Sequence, residues 1–331
     1  MINVALIAGG DSGEFDISIK SAQVVAKYIP TDKYNVYLVE IKGDQWVCLH
    51  DQKGRIALDK NDFSLSIDGE KIKFDVVFNA IHGTPGEDGK FLGYLEMLNI
   101  PFTSSSAVVS GLTFNKAYCN SVVKQFGFRV AQSVHLIKGQ PFVEEDILKV
   151  VGLPCFVKPN QGGSSVGMSK VKLVQELIPA LRKAFAEDTE VLVEEFVDGR
   201  ELTIGVMNYK EKIWSFPITE IISKNEFFDF EAKYNSKLNE EITPARIQED
   251  VAKEVSQTAR HLFQVLNLKG ITRFDFILSK EDLVFIEVNT VPGLTTESLV
   301  PKQVKEMGYE LSQIFDFALQ EALNPYVSKE S

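Results

Sequence analysis

Two segments near the end of the chain alternate apolar residues with oxygen-bearing ones: ITRFDFIL at 271–278 and LVFIEVNT at 283–290. Successive side chains of a strand face opposite sides, so Arg273 shares a face with Asp275, and Glu287 shares a face with Asn289. A connection over 279–283 places Asp275 roughly opposite Glu287 in an antiparallel pair. Carboxylates directly opposite one another destabilise a sheet by up to about 1 kcal/mol, so a positive charge is expected between them.

The side chains of Asp275, Glu287 and Asn289 offer oxygen, the ligand atom that a hard cation such as Mg²⁺ prefers, above all when phosphates complete its shell. The alternative is a solvated polar face on which Arg273 balances the acids. The same alternation assigns three apolar residues to one shared face of the second strand: Val284, Ile286 and Val288.

A glycine- and serine-rich stretch, KPNQGGSSVGMSKV at 158–171, lies between predicted strands. Its backbone N–H groups and hydroxyls can reach anionic oxygens with little steric hindrance, and Lys158 adds a positive charge. The stretch lacks the GK[ST] ending of a Walker A loop, and the early GGDSGE lacks the spacing of a dinucleotide-binding turn. A flexible hairpin connection is the alternative. Together with the oxygen ligands downstream, the loop indicates magnesium-nucleotide binding by another fold.

The elements that must position these residues follow from hydrophobic periodicity. The first hundred or so residues predict an open α/β layer: a strand at 2–8, a glycine turn, a helix that stops at Pro30, strands at 34–41 and 74–81, a surface hairpin insertion within 43–73 and a helix at 91–98. The rest predicts, in order, a helix at 115–126, strands at 154–159 and 165–171, a helix at 174–185, a strand at 190–196, antiparallel strands, a long helix at 248–266, the two final strands and a C-terminal helix.

Composition limits the classes of function. The 331 residues are 44% hydrophobic and 24% charged with a net charge of −11, which is ordinary for a globular protein and unfavourable for nucleic acid. The sequence has neither a signal-peptide pattern nor an apolar run near the roughly 20 residues that cross a bilayer, so we expect a cytoplasmic protein without a membrane partner. Cys48, Cys119 and Cys155 lie far apart in apolar surroundings, which predicts buried free thiols.

Further motifs occur in a fixed order along almost the whole chain: GGDSGE, HGTPGEDG at 82–89, KPNQGGSSVGMSKV, EEFVDGRE at 194–201, EAKY at 231–234, RFD at 273–275 and EVNTVPGLTTESLVP at 287–301. In this combination the chain resembles the D-alanine–D-alanine ligases of the ATP-grasp superfamily. The resemblance implies an α/β (α+β) protein in which an open α/β, Rossmann-like N-terminal domain precedes an ATP-grasp fold. It implies an N-terminal domain at 1–104, a central ATP-grasp subdomain at 105–194 and a C-terminal subdomain with the metal and substrate site at 195–331.

The resemblance also implies an activity: ATP-dependent joining of two D-alanine molecules through an acyl phosphate, for a peptidoglycan precursor, by a homodimer. The residues implied to hold ATP, with loop 162–167 closing over the phosphates, are Lys116, Lys158, Ser164, Ser165, Glu194, Glu195, Phe196, Val197, Glu201 and Lys233. Two Mg²⁺ or Mn²⁺ ions are implied at Asp275, Glu287 and Asn289.

Catalytic and substrate-binding roles are implied in the same way. The catalytic residues would be Glu14, Ser164, Tyr234, Arg273 and Gly293, and the substrate-binding residues Glu14, His82, Ser298 and Leu299. Tyr234, linked to Ser164 and Glu14, would pin a lid at 225–240 and favours a dipeptide product over an ester with D-lactate. Phe228 and Phe230 stand where many relatives have tyrosine.

Simpler interpretations stand beside several of these roles. Lys116 is also consistent with a surface helix lysine, Glu14 with a favourable charge at a helix N-terminus, and Gly293 with a turn after a proline. His82 is also consistent with bracing its own glycine-rich turn. Two rival functions are a related ligase with another acceptor, such as D-serine, and a nucleotide-binding module without catalysis.

Overall fold

The computed structural model of the chain describes residues 1–223, 239–280 and 282–324. These residues form three sheets, of seven, four and six strands in chain order, with helices packed between and around them. Four residues singled out from the sequence lie outside the described residues: Phe228, Phe230, Lys233 and Tyr234.

The seven-stranded sheet belongs to the N-terminal part. Its strands are β1 (Ile2–Gly9), β2 (Tyr34–Lys42), β3 (Gln45–His50), β4 (Gly54–Asp59), β5 (Ser64–Ile67), β6 (Glu70–Ile72) and β7 (Val76–Asn79). Their order is β6-β5-β4-β3-β2-β1-β7, with β1 parallel to both β2 and β7. The predicted hairpin insertion is β3 to β6, and these strands extend the sheet.

Two helices cover the faces of this sheet: α1 (Phe15–Tyr28) and α2 (Lys90–Met97). Leu6 and Ala8 pack on the side of α1, whereas Ala5 and Ile7 pack on the side of α2. Because alternate side chains of β1 are buried on opposite faces, the strand reads as an unbroken apolar run.

The four-stranded sheet lies in the middle of the chain. Its strands, all antiparallel and ordered β10-β9-β11-β8, are β8 (Ser133–Ile137), β9 (Cys155–Pro159), β10 (Ser169–Val171) and β11 (Glu190–Glu195). Its helices are α3 (Ala107–Phe114) and α4 (Lys116–Gln125), which precede it, and α5 (Glu144–Val151) and α6 (Leu177–Glu187), the last after a 3₁₀ turn at Val174–Glu176. The sequence predicted α4, α6, β9, β10 and β11, but it did not predict α3, α5 or β8.

The six-stranded sheet closes the chain. Its strands are β12 (Arg200–Tyr209), β13 (Lys212–Ser215), β14 (Thr219–Ser223), β15 (Asn239–Ile242), β16 (Ile271–Leu278) and β17 (Leu283–Asn289). The order is β15-β14-β12-β16-β17, and β13 pairs with β12. Its helices are α7 (Glu249–Val265), α8 (Leu299–Glu306) and α9 (Leu311–Leu323). The single C-terminal helix that the sequence predicted is therefore two helices, separated where Gly308 adopts a φ of +76°.

The antiparallel pair of β16 and β17 confirms one prediction and corrects another. Asp275 lies opposite Glu287, but the register shifts directly afterwards, so that Phe276 pairs with Phe285 and Ile286 is bulged. The prediction that Val284, Ile286 and Val288 share one face is therefore wrong. Instead, the buried cluster beneath the sheet takes its members from β17 in another spacing: Leu283, Phe285 and Val288.

The hydrophobic clusters do not follow the three sheets one to one. One cluster joins β1, α1 and β7 to α8 and α9, and the rings of Phe78 and Phe315 meet there edge to face with centroids 5.6 Å apart. Above it, the hydroxyl of Tyr34 donates to Oδ1 of Asp316 at 2.8 Å. The N-terminal sheet therefore shares a core with the last two helices.

The middle of the chain is divided in a similar way. Val109, Cys119 and Val130 pack with the C-terminal sheet and α7, so α3 and α4 belong to that core. The four-stranded sheet has a cluster of its own, drawn from 134–193. The boundaries expected at 104 and 194 remain predictions.

No helix in the described part of the chain is both long and apolar enough to cross a membrane. All three cysteines are free and buried, as predicted.

Candidate active site

Asp275 is the centre of a hydrogen-bonded group on the C-terminal sheet. Arg273, two residues earlier on the same face of β16, donates from Nε to Oδ1 at 3.0 Å and from Nη2 to Oδ2 at 2.7 Å. The hydroxyl of Thr203 on β12 donates to Oδ1 at 2.6 Å, and Nδ2 of Asn289 donates to Oδ2 at 3.3 Å. This group fixes the carboxylate beside its partner on β17, Glu287.

Charges of both signs meet at this point. Oε2 of Glu287 lies 4.0 Å from Nζ of Lys116, the first residue of α4. Burial lowers the pKa of Arg273, but neighbouring carboxylates, that of Asp275 first, raise it overall. The guanidinium therefore stays protonated, so two carboxylates of the sheet lie near two cations, Arg273 of β16 and Lys116 of α4.

The oxygen donors fit a divalent cation. Because Asn289 uses Nδ2 toward Asp275, its carbonyl oxygen is left as an acceptor, and the two carboxylates add hard, charged oxygens. Within residues 1–223, 239–280 and 282–324 no group of three or more His, Cys, Asp or Glu side chains could hold a metal ion. A cation here would therefore depend on the asparagine amide of the set and on oxygens from the substrate.

The glycine- and serine-rich loop reaches across to the other parts of the molecule. The hydroxyl of Ser164 donates to Oε1 of Glu14 at 2.6 Å, and Nζ of Lys116 donates to the carbonyl of Gly162 at 2.8 Å. Ser164 and Ser165 have φ values of +54° and +57°, a conformation that costs a non-glycine residue about 1–3 kcal/mol. Backbone bent in this way can present neighbouring N–H groups to a single anion.

Lys158 and Glu194 form a buried ion pair between β9 and β11, with Nζ 2.5 Å from Oε2. The structure thus pairs the lysine expected at the phosphates with the acid expected at the adenine. Asn120, which sequence reasoning missed, donates from Nδ2 to Oε1 of Glu194 at 3.1 Å. It lies one helical turn after Lys116 and so on the same face of α4, which is the only sequence signal that could have found it. Its Oδ1 is buried and has no hydrogen-bond partner among the described residues.

The residues after Glu194 face different ways. Oε1 of Glu195 accepts from Nη2 of Arg129 at 3.0 Å and from the N–H of Gln132 at 2.9 Å, which turns this carboxylate toward the outer edge of the sheet. The ring of Phe196 lies 5.9 Å from that of Phe156, with Nζ of Lys170 3.8 Å above its centroid.

Val197 is the second residue after β11, and Glu201 lies on β12 two residues before Thr203. Glu201 therefore shares the face that Thr203 turns toward Asp275. This places a further carboxylate on the same face of the sheet as the acid pair.

His82 is buried at the turn after β7, and Glu87 of the same turn is another residue that sequence reasoning missed. Burial lowers the pKa of His82, and Arg273 lowers it further, against the opposing effects of Glu14 and of the Val291 carbonyl. Burial raises the pKa of Glu87 to about 7, although the hydrogen bonds that its carboxylate accepts from the N–H groups of Gly83 and Val291 lower it. An acid within the glycine-rich HGTPGEDG turn was the signal that could have identified it.

Gly293 and Ser298 lie against each other after β17. A Cβ added to Gly293 would be 2.8 Å from Oγ of Ser298, so a side chain there would force the Ser298 hydroxyl to move. Ser298 precedes α8, whose first residue is Leu299, and its hydroxyl is 2.8 Å from that of Thr295. The N-terminal N–H groups of this helix favour an anion such as a carboxylate.

The contacts above join the predicted residues into two groups. One contains Lys116, Glu14, Ser164, Arg273 and the acid pair, and Glu14 and Arg273 act electrostatically on His82. The other is the ion pair of Lys158 and Glu194. Glu195 is the predicted residue whose side chain turns away from them. Lys233 and Tyr234 lie outside the described residues.

Comparisons with known proteins cover nearly the whole chain. Residues 3–105 match the family model described as "D-ala D-ala ligase N-terminus", and residues 122–320 match the one described as "D-ala D-ala ligase C-terminus". A "D-alanine--D-alanine ligase" of Flavobacterium johnsoniae is 47% identical over 323 residues, which are 98% of this chain and 100% of that relative.

Solved structures agree with these matches. A D-alanyl-alanine synthetase A from Vibrio cholerae superposes with a TM-score of 0.87 at 28% identity, covering 97% of this chain and 98% of that chain. The VanG D-Ala:D-Ser ligase from Enterococcus faecalis superposes with a TM-score of 0.84 at 30% identity, covering 96% of this chain and 98% of that chain.

Proposed function

Because the chain belongs to the D-alanine–D-alanine ligase family, we propose that it joins two D-alanine molecules for a peptidoglycan precursor, converting ATP to ADP and phosphate. The observation that carries the proposal is the pairing of Asp275 with Glu287 beside Lys116 and the serine loop. A chain that had lost catalysis would have no need to keep this arrangement together with matches to both halves of the family.

We assign nucleotide binding to residues that the four-stranded and six-stranded sheets and α4 contribute together. The serine loop would cover the phosphates, with Lys116 and Lys158 as the nearby cations, while the main chain at 195–197 and the Glu194 carboxylate would meet the base. Glu201 would accept from ribose hydroxyls, since a carboxylate is an acceptor only.

The residues Asp275, Glu287 and Asn289 would hold two Mg²⁺ or Mn²⁺ ions. When bound, such ions neutralise phosphate oxygens and so allow one anion to attack another. Arg273 contributes to the same end, because its buried guanidinium is held rigidly by two hydrogen bonds and requires no reorganisation when negative charge develops.

Ligation then takes place in two substitutions. A carboxylate oxygen of the first D-alanine forms a bond to the γ-phosphorus while the bond to ADP breaks, which gives an acyl phosphate. The amine of the second D-alanine, after losing a proton, bonds to the acyl carbon, and phosphate leaves with the C–O bond electrons. The charge on the tetrahedral intermediate would be stabilised by Arg273 and the N–H of Gly293.

Substrate positions follow from charge. Glu14, held by Ser164, would accept from the ammonium group of the first D-alanine. Ser298 and the N-terminus of α8 at Leu299 would bind the carboxylate of the second. By family resemblance, Tyr234 is assigned to closing the site, which protects an acyl phosphate from water, and Lys233 is assigned to neutralising phosphate charge.

We further propose a cytoplasmic homodimer with the three-part division given above. Met97 and Val108 are 76% and 80% exposed on α2 and α3, which contact one another where Oε1 of Glu96 accepts from the N–H of Ala107 at 2.9 Å. Exposed apolar side chains on two touching helices are where we expect a second copy of the chain to bind. Light scattering of the wild type and of the Val108→Glu variant measures the oligomeric state, and we expect a dimer for the first and a monomer for the second.

The test of function is ADP release by the purified chain with Mg²⁺ and ATP, with D-alanine added and withheld, and mass spectrometry of the product. We expect release to depend on D-alanine, to stop with EDTA and to give a dipeptide. Equal turnover with L-alanine would overturn the substrate assignment. A preference for D-serine as the second substrate would move the chain toward the activity named for its Enterococcus relative.

A further inference from the structure

Val291, just beyond β17, has both of its main-chain polar groups held by the N-terminal domain. Its N–H donates to Oε1 of Glu87 at 3.2 Å, and its carbonyl accepts from Nδ1 of His82 at 2.8 Å. Glu87 is itself held at the other oxygen, which accepts from the N–H of Gly83 at 2.9 Å. One turn of the N-terminal domain thus binds the peptide groups on both sides of Val291.

Ser21, on α1, holds the other end of the segment. Its Oγ accepts from the N–H of Leu294 at 3.2 Å and lies 3.0 Å from Nε2 of His82. A carbonyl can only accept, so Nδ1 of His82 carries the proton toward Val291 and Nε2 accepts from the Ser21 hydroxyl. Both ring nitrogens are used within the protein, which favours a bracing role for His82 over contact with substrate.

Gly293 lies between these held points. Three of the four peptide groups that join 290 to 294 are bonded to the N-terminal domain, and Pro292 has a fixed φ and no N–H. The remaining peptide group is the one that carries the N–H of Gly293. The direction of this peptide group is therefore set by the bonded peptide groups on either side, because Gly293 has no side chain that could restrain the backbone.

The three side chains that bind this segment are called the clamp: Ser21, His82 and Glu87. We propose that the clamp fixes the direction of the Gly293 N–H, so that this group meets the oxyanion of the tetrahedral intermediate. The proposal rests on the proposed function and makes the three side chains positioning residues. Misplacement of a catalytic group by about 1 Å can cost on the order of a hundredfold in rate, so the clamp acts on turnover more than on binding.

Ser21→Ala removes both hydrogen bonds of this hydroxyl, with Leu294 and with His82, and has a matched control on the same helix. Ser18 is also fully buried, and its Oγ also makes two hydrogen bonds, from the N–H of Gly9 and to the carbonyl of Ala80. Ser18→Ala should disturb α1 similarly without touching 291–294. We expect Ser21→Ala and Glu87→Gln to lower kcat by about 10- to 100-fold with KM for ATP within about threefold, and Ser18→Ala to keep kcat within about threefold.

A second readout separates positioning from general loosening. A phosphinate dipeptide that mimics the tetrahedral intermediate should lose affinity in Ser21→Ala in the same proportion as kcat, while D-alanine affinity stays nearly constant. Equal effects of Ser18→Ala and Ser21→Ala on kcat and on analogue binding would overturn the proposal that the clamp positions the Gly293 N–H.

A third measurement does not depend on activity. Amide hydrogen exchange followed by NMR should show Leu294 exchanging at least about tenfold faster in Ser21→Ala and Val291 faster in Glu87→Gln, with little change in Ser18→Ala. Unchanged exchange at both positions would contradict the clamp even if the wild type ligates D-alanine. A wild type that exchanges as expected but does not ligate D-alanine would contradict the proposed function alone.

Discussion

Single side chains carry most of the proposed chemistry, and several of them are held by more than one partner. Asp275 receives four hydrogen bonds from Arg273, Thr203 and Asn289, so its position does not depend on a bound ion. Glu287 lies opposite, with its side chain 27% exposed. Asp275 is therefore an acid whose position the protein itself fixes.

Glu287→Gln should lower Mg²⁺-dependent ADP release by about a hundredfold or more, because the amide keeps one oxygen ligand but removes a negative charge. The fold should be unaffected, as judged by circular dichroism and the thermal midpoint. Glu241→Gln is a suitable control, since Glu241 lies on the same sheet and pairs with Lys302 at 3.0 Å. Near-normal turnover of Glu287→Gln would remove that residue from the metal site.

Glu87 makes a second prediction, on stability. Burial raises its pKa from 4.5 to about 7 in the folded chain, so between these values the folded state holds a proton that the unfolded state has released. Stability should therefore fall as pH rises through this window, by up to about 3 kcal/mol, and Glu87→Gln should lack this part of the dependence. Urea midpoints of both proteins from pH 5 to pH 8 measure it, and parallel curves would show that folded Glu87 titrates normally.

At the scale of elements, the connections between the parts of the chain are tight. Gly270, just before β16, has a φ of +71°, and an added Cβ would overlap the carbonyl oxygen of Thr103, in the segment that follows the N-terminal sheet. Gly308, between α8 and α9, has a nearly identical φ of +76° but nothing within 4 Å of an added Cβ. The two positions separate backbone strain from steric overlap.

Gly308→Ala should cost about 1–2 kcal/mol of stability, the penalty for a left-handed alanine. Gly270→Ala should cost at least about 2 kcal/mol more, because backbone must move to relieve the overlap. The measurement is the difference between the urea midpoints of the two variants. Similar midpoints would mean that the backbone at Thr103 can shift at little cost in free energy.

The sequence could predict features that residues near one another in the chain determine, but not contacts between residues far apart in it. Strand alternation sufficed to place Asp275 opposite Glu287, since only a short turn joins their strands. The bulge at Ile286 was not predictable, because residues 283–286 are all apolar and no break in the alternation marks the extra residue. The partners of Val291 and Leu294 lie 204 and 273 residues away in sequence, at Glu87 and Ser21, and no periodicity links such positions.

For the molecule as a whole, the three cysteines lie in three separate hydrophobic clusters. Cys48 belongs to the cluster under α2, Cys119 to that of the C-terminal sheet and Cys155 to that of the four-stranded sheet. Burial raises the pKa of Cys119 to about 12 and that of each of the other two to about 11. The rate at which each thiol reacts therefore measures how often a different hydrophobic cluster becomes accessible to solvent.

Thiol labelling at pH 8 should be at least about a hundredfold slower in the native chain than in urea, because the sulfur atoms are both inaccessible and protonated. Variants that keep one cysteine each, with alanine at the other two positions, assign the rates. We expect ATP with Mg²⁺ to slow Cys155 most. Rapid labelling of any single-cysteine variant in the native state would contradict the burial described above.

The cluster drawn from 134–193 is closed on itself, whereas the other sheets share their cores with distant helices. A tilt of the four-stranded sheet would divide no hydrophobic cluster, but a separation of the N-terminal sheet would expose Phe78 and Phe315 to water. Movement of the four-stranded sheet away from the rest of the described chain would therefore leave the hydrophobic clusters described above whole. It would break hydrogen bonds that cross from the sheet and its loop, among them Ser164 to Glu14, Lys116 to Gly162 and Asn120 to Glu194. Entry of a nucleotide by such a movement would thus be opposed by polar contacts and not by the separation of buried apolar side chains.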